Sequence, residues 1–360
     1  KLIHGIDVYT AGTLSEVVEH LAGRKQLKPL PKENILQNTA RIYNVDFADV
    51  KGQLVARRAL EIAAAGGHSV LMVGSPGCGK TMLARRMVTI LPPMTEEEAL
   101  EVTKIYSIVG MLPQGDSIML ERPFRSPHHS ISSSALLGGG STPRPGEVTL
   151  AHNGVLFLDE LPEFQRTTLE MLRQPLEDNE VNISRVRAAM TFPSSFCLLA
   201  AANPCPCGYL LDKSHKCCCT SSEIEHYKRK LSGPLLDRID MQINLTSVDF
   251  NDLKDKSGGE CSADIRTRVV AARDIQRIRF QDRGIHCNAQ MGRKEVVEFC
   301  QLDNTAQALM ERYFTALHLS ARSHDRILKV ARTIADLAHS KNVESNHLAE
   351  AIQLRTSIKQ

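Results

Sequence analysis

The eight residues Gly74-Ser75-Pro76-Gly77-Cys78-Gly79-Lys80-Thr81 constrain this chain more than any other stretch. They fit G-x-x-x-x-G-K-[ST] at every fixed position. The apolar run His68-Ser69-Val70-Leu71-Met72-Val73 precedes them, and the helical pattern Met82-Leu83-Ala84-Arg85-Arg86-Met87 follows. Strand, glycine-rich loop and helix in that order make a phosphate cradle. Glycines let successive backbone N–H groups converge on phosphate oxygens without a Cβ in the way, and the helix N-terminus adds a favourable field. Residues Gly74 to Met82 are therefore expected to line the nucleotide phosphates, with Lys80 reaching the β- and γ-phosphates and the Thr81 hydroxyl ligating Mg²⁺. The plain alternative is an exposed lysine on a glycine-rich turn; the flanking context and a second motif both count against it.

That second motif is Val155-Leu156-Phe157-Leu158-Asp159-Glu160, four apolar residues and then two carboxylates. Open α/β sheets bind ligands beyond the carboxyl ends of their strands, where such a pair emerges. Asp159 is expected to hold Mg²⁺ through its water shell, and Glu160 to polarise an attacking water. Alone, an apolar run ending in Asp-Glu is an ordinary strand-end turn; a complete phosphate loop upstream favours the catalytic reading. Asn203 ends a third run, Leu198-Leu199-Ala200-Ala201-Ala202-Asn203. Its amide suits orientation of water against a γ-phosphate, and a turn residue before Pro204 explains it locally just as well.

All three runs are short and nearly unbroken, as in strands buried on both faces of a parallel sheet. The expected fold class is α/β, with a core over residues 32–247. The lead-in, 1–31, ends in Leu27-Lys28-Pro29-Leu30-Pro31, whose alternate prolines cannot continue a helix. Residues 248–263 are polar, contain Ser257-Gly258-Gly259 and read as a linker. Residues 264–360 carry only helical patterns, one of them through Leu319, Ile327, Leu328, Ala331, Ile334, Ala335 and Ala338, so a helical second domain is expected. A length of 360 residues suits two or three domains.

Composition removes several classes of function. With 44 basic and 41 acidic residues the formal charge is +3, which excludes a polycation and leaves local basic patches open. No apolar run reaches the roughly 18 residues of a spanning helix, so no membrane association is expected. Trp is absent and aromatics make up 4%, so stacking on bases is not the expected mode of nucleic-acid binding. Of ten cysteines, five fall between Cys205 and Cys219, which is metal-like clustering in a reducing compartment. The opening Lys1-Leu2-Ile3-His4 has neither an initiator Met nor a charged-then-apolar leader, the expectation for a trimmed piece of a cytoplasmic protein.

The order and spacing of phosphate loop, Asp-Glu strand and strand-end Asn resemble those of AAA+ ATPases. Asp49-Val50-Lys51-Gly52-Gln53 resembles that family's element near the adenine. Leu235-Leu236-Asp237-Arg238-Ile239-Asp240 is similar to the segment bearing the arginine finger in magnesium-chelatase motor subunits and MCM helicases. Ser320-Ala321-Arg322 is similar to the sensor-2 position, with Arg326 as a competing register. The resemblance implies a ring in which Arg238 enters the neighbouring subunit's nucleotide site, where a guanidinium neutralises charge developing on the γ-phosphate. Either arginine could instead be solvated or salt-bridged.

About seventy residues separate Thr81 from Val155, consistent with the helix-2 insert of the chelatase and MCM clade, placed at about 95–150. Pro123-Phe124-Arg125-Ser126-Pro127-His128-His129-Ser130, Leu137-Gly138-Gly139-Gly140, Pro143-Arg144-Pro145-Gly146-Glu147 and Ala151-His152-Asn153-Gly154 resemble the ComM (YifB) family. That resemblance covers nearly the whole chain and likens residues 1–31 to the last stretch of an N-terminal Lon-protease-like domain. It implies an ATP- and Mg²⁺-dependent hexameric helicase acting on single-stranded and branched DNA, promoting branch migration in natural transformation alongside recombination proteins, with a helical lid domain at its C-terminus. Glu180-Val181-Asn182-Ile183-Ser184-Arg185-Val186-Arg187 followed by Ala188-Ala189-Met190-Thr191-Phe192 alternates like a hairpin. In the related MCM helicases such a hairpin projects a basic tip into the pore, which makes Arg185 and Arg187 candidate phosphate contacts. Two solvated arginines are the alternative. His128 and His129 have no acidic or cysteine partner placed by sequence, so with Arg125 and Arg144 they are read as loop contacts to DNA or a neighbour.

Cys205-Pro206-Cys207-Gly208 and Lys216-Cys217-Cys218-Cys219-Thr220 could set four thiolates tetrahedrally around Zn²⁺, although C-x-C is tighter than the usual C-x₂-C. The ComM pattern selects Cys205, Cys207, Cys217 and Cys219 for this structural site and leaves Cys218 spare. Free thiols in a loop are the alternative. Two other activities stay open: a magnesium-chelatase motor subunit, and a scaffold that does not hydrolyse ATP. The cysteine cluster and the His-His stretch weigh against the first, and intact Lys80, Asp159, Glu160 and Arg238 against the second.

Overall fold

The computed structural model describes residues 7–29, 43–112, 118–140, 143–185, 188–212, 215–231, 233–246 and 259–356. The expected linker falls largely outside them, as does Arg187.

The apolar runs become strands. In chain order these are β1 (Val70–Gly74), β2 (Phe124–Arg125), β3 (Gly138–Gly139), β4 (Arg144–Pro145), β5 (Val155–Leu158), β6 (Glu180–Arg185), β7 (Ala188–Pro193), β8 (Cys197–Ala202) and β9 (Met241–Leu245). Five of them form the central sheet in the order β2-β5-β8-β1-β9, and every pairing is parallel. Val70 pairs with Leu199 and Val155 with Cys197, so β1, β5 and β8 end close together. Because β8 lies between β1 and β5, the phosphate loop, Asp159 and Asn203 emerge along one carboxyl edge.

Burial explains the unbroken apolar runs, since side chains alternate between two covered faces. Val70, Met72, Phe157, Leu199 and Ile243 point to one hydrophobic cluster, and Leu71, Val73, Leu156, Leu158 and Leu198 to another. The first face is covered by the helices Leu54–Gly66 and Lys80–Ile90 and by the C-terminal helices. The second is covered by residues such as Leu136, Phe164, Leu169 and Ile183. The expected insert is not wholly separate from the core: β2 lies within it and completes the sheet edge beside β5. A strand of two residues leaves too short an apolar run to be distinguished in sequence.

From Ser262 onward the described residues are helical, with Ser262–Arg279, Asn304–Ala316, Ala321–Leu337 and Ser345–Thr356 as the long elements. Ser320 caps Ala321–Leu337 by accepting from the Ser323 N–H, and Ile327, Leu328, Ala331, Ile334 and Ala335 bury the face that the pattern specified. The expected hairpin is β6 with β7, in antiparallel register from Glu180 opposite Pro193 to Arg185 opposite Ala188. Among the described residues no helix is long and apolar enough to cross a membrane.

Candidate active site

The helix Lys80–Ile90 starts where β1 ends, and its N-cap is Gly79 at φ +94°. Only glycine takes that conformation without strain, and a loop that ends at a helix N-terminus is suited to phosphate. The Lys80 ammonium folds back onto the loop. It donates to the carbonyls of Gly74 (2.6 Å) and Ser75 (3.0 Å) and to the Asn203 Oδ1 (3.1 Å). The Thr81 hydroxyl donates to Asp159 Oδ2 at 2.8 Å, so two oxygens suited to a hard divalent cation already face one another. Gln53, in the segment likened to the adenine element, donates to the carbonyls of Cys78 (3.2 Å) and Thr246 (2.6 Å), tying that segment to the phosphate loop.

Glu160 follows at φ +51°, with its N–H bonded to Asp159 Oδ1 at 2.9 Å. Its carboxylate meets His129 Nδ1 at 3.1 Å. The sequence alone carries no signal of this contact, and there His129 is expected as a loop residue facing DNA or a neighbour. Only the pairing of β2 with β5 brings the segment after β2 to the end of β5, and no local spacing signals that. His128 stacks on His129 with ring centroids 4.0 Å apart and bonds Ser130 Oγ at 2.8 Å.

The two arginines likened to finger and sensor converge on one carboxylate. Arg238 reaches Glu177 Oε1 at 2.8 Å and Arg322 reaches the same oxygen at 3.4 Å. Arg238 is 8% exposed, donates to the Pro234 carbonyl at 2.7 Å, and keeps a buried Nε without a hydrogen-bond partner. Glu177 carried no signal in the sequence. The competing Arg326 is committed elsewhere, to Asp240. Asp240 is buried, which alone would raise its pKa, but Arg326 and His68 hold its carboxyl well below the usual carboxylate range.

The other expected DNA contacts differ in availability. Arg125, expected as a contact to DNA or a neighbour, makes a two-donor ion pair with Glu147, at 2.6 and 2.7 Å, so its guanidinium fork is occupied within the fold. Arg144 is exposed on β4. The backbone of Arg185 ends β6, and Arg187 lies outside the described residues.

Cys205, Cys207, Cys217 and Cys219 bring their sulfurs within 4.8 Å of one another. Sulfur separations are 3.4 Å for Cys205 to Cys207, 3.7 Å for Cys205 to Cys217 and 3.5 Å for Cys207 to Cys217. A tetrahedron with Zn–S bonds of about 2.3 Å has edges of about 3.8 Å, so these distances fit a thiolate cage. They are far too long for disulfides. N–H groups of Tyr209 and Cys218 lower the Cys207 thiol to about 5, whereas burial and the neighbouring thiols raise Cys217 and push Cys219 up to about 12, so without a cation the crowded sulfurs do not all ionise together. The spare Cys218 is exposed.

Comparison with known proteins places this geometry in a family. The family model for magnesium chelatase subunit ChlI matches residues 46–253, and that for the ChlI C-terminal region matches 259–355. Competence protein ComM of Haemophilus influenzae is 42% identical over 363 residues, spanning 100% of this chain and 70% of that protein. YifB of Escherichia coli is 43% identical over 359 residues, spanning 98% of this chain and 68% of that protein. Rv2897c of Mycobacterium tuberculosis is 38% identical over 357 residues, spanning 99% and 70%. With the parallel sheet, the phosphate loop and the helical C-terminal region in view, the chain belongs to the ComM/YifB family of magnesium-chelatase-like AAA+ proteins.

Proposed function

We propose that this chain is the motor of an ATP-driven DNA translocase that promotes branch migration while single-stranded DNA is integrated during natural transformation. The observation that carries it is the gathering of Lys80, Thr81, Asp159, Glu160 and Asn203 at the ends of three neighbouring strands. The 42% identity to a competence protein directs that machinery towards DNA.

ATP binds with its phosphates against the loop from Gly74 to Met82. Lys80 exchanges the carbonyls of Gly74 and Ser75 for phosphate oxygens, and Asn203, which the ammonium also contacts, follows that change. Thr81 and Asp159 hold Mg²⁺, which neutralises charge on the phosphate oxygens. Glu160 turns from His129 to the attacking water and polarises it. Arg238 and Arg322 give up Glu177 and stabilise the γ-phosphate of an adjacent copy, which requires a closed homo-oligomer, a hexamer in this reading. The β6–β7 hairpin leads into β8, so motion at Asn203 is transmitted to the hairpin, and Arg185 and Arg187 of its sequence are the proposed phosphate contacts. Exposed Arg144 adds phosphate contacts, and Cys205, Cys207, Cys217 and Cys219 hold a structural Zn²⁺. The protein works in the cytoplasm with other recombination proteins.

The chelatase family match also supports a second reading, a motor subunit for metal insertion. Steady-state ATP hydrolysis measured without DNA, with single-stranded DNA and with a four-way junction separates the two. Several-fold stimulation by DNA is expected. Turnover indifferent to every DNA would sink the translocase reading, and absence of turnover would leave only a scaffold.

A further inference from the structure

The four-cysteine loop does more than close on itself. It leaves β8 two residues after Asn203 and ends at Thr220, which caps the helix Ser221–Lys230 by accepting from the Glu223 N–H. Burial pushes the Tyr227 hydroxyl of that helix up, and the Asn203 backbone beside it pulls the other way. Between these anchors, Gly208 lies against the phosphate loop itself. A Cβ placed on Gly208 would meet the Pro76 ring at 2.6 and 2.8 Å, and Gly208 sits at φ +85° with its N–H on the Cys205 carbonyl at 3.0 Å. Pro76 is exposed to solvent on its outer side, and on the other it abuts Gly208, which lies in the turn between the ligand candidates Cys207 and Cys217.

We propose that the metal bound by Cys205, Cys207, Cys217 and Cys219 is a brace for nucleotide binding: it fixes the Cys205–Gly208 turn, which holds Pro76 and the phosphate loop ready for ATP. The argument is one of preorganisation. Phosphate binding by backbone N–H groups is strong when their directions are set beforehand, and weaker when the nucleotide must order the loop itself. A soft tetrahedral thiolate cage selects Zn²⁺ and leaves no open position for water or substrate, which is what a brace needs. The same turn carries Asn203 at its root, so the brace also sets the distance from the phosphate loop to the residue bonded to Lys80.

The inference rests on the zinc reading above, and the experiment separates the two. Zinc is counted by elemental analysis of chain purified without chelator. Affinity for a fluorescent ATP analogue is then measured in excess Mg²⁺ before metal removal, after it, and after Zn²⁺ is returned. About one zinc per chain is expected. Removal should weaken nucleotide binding roughly tenfold, and Zn²⁺ should restore it. Gly208→Ala is the second arm: it keeps all four thiols but forces the turn away from Pro76, so zinc should remain at about one per chain while affinity falls by a similar factor. Absence of zinc would remove both the metal site and the brace. Zinc present, with affinity unchanged on removal or in Gly208→Ala, would overturn the brace and leave the metal site standing. Should metal-free chain lose its far-ultraviolet dichroism, Gly208→Ala alone decides.

Discussion

At the scale of single residues, the Lys80 ammonium already has three oxygen partners, so binding ATP is an exchange of contacts. Removing the ammonium loses the charge-assisted bonds to phosphate. Lys80→Ala is therefore expected to weaken ATP binding by about 100-fold, the equivalent of about 3 kcal/mol. Glu160→Gln keeps the shape and removes only the group that polarises water. It should bind ATP normally and hydrolyse it about 100 to 10,000 times more slowly. Equilibrium titration with a fluorescent nucleotide, paired with phosphate release, reads both; normal turnover in Glu160→Gln would take the catalytic role from that residue. The sequence named both residues because their motifs are local: a loop of fixed spacing, and a strand with its end. It did not reveal the His129 contact to Glu160 or the Glu177 contact to two arginines. Those pairings join residues that are distant in the chain, and only the arrangement of elements makes them neighbours.

Among the elements, the buried strands were the most legible, because a strand covered on both faces must be apolar at every position. β2 was obscured by its length and by Arg125, which is drawn into the fold by Glu147 rather than left in a loop. The β6–β7 hairpin could be read from alternation, and its register from Glu180 to Arg185 agrees with that pattern. It leads directly into β8 and forms a separate two-stranded sheet, which is where the proposed DNA contacts are to be tested. Replacing Arg185 and Arg187 together with Ala should leave basal ATP hydrolysis near the unsubstituted rate. DNA binding should weaken for every sequence alike, with the slope of log affinity against log salt shallower by roughly 1.8 if each arginine neutralises one phosphate. Fluorescence anisotropy across a salt series measures this. An unchanged slope, with normal strand displacement, would turn attention to Arg144 and the loop around His128.

For the whole molecule, the pairing of Arg238 and Arg322 with one carboxylate bears on assembly. Within a single copy the two guanidinium groups are partly neutralised by Glu177; in the ring proposed above, a neighbour's γ-phosphate would offer them a stronger anion. Arg238→Ala should keep ATP binding and lose hydrolysis. Mixed with Lys80→Ala chains, some hydrolysis should return where an intact Lys80 meets an intact Arg238 from the next copy. No recovery at any ratio, with mixed rings confirmed by native mass spectrometry, would count against an arginine acting across the interface. A second consequence comes from the first hydrophobic cluster, which runs without a break from Phe47 through the strands to Leu354. The helices Ala321–Leu337 and Ser345–Thr356 rest on Leu54–Gly66 and on β9, and Arg355 donates to the Ile239 and Asp240 carbonyls beside that strand. The C-terminal helices are thus the floor on which the sheet stands. Severing the chain between them would strip the underside of the sheet bare, exposing Ile243 and Leu245. The two regions cannot be traded independently between proteins: a substitution on either side of that seam has to be answered on the other.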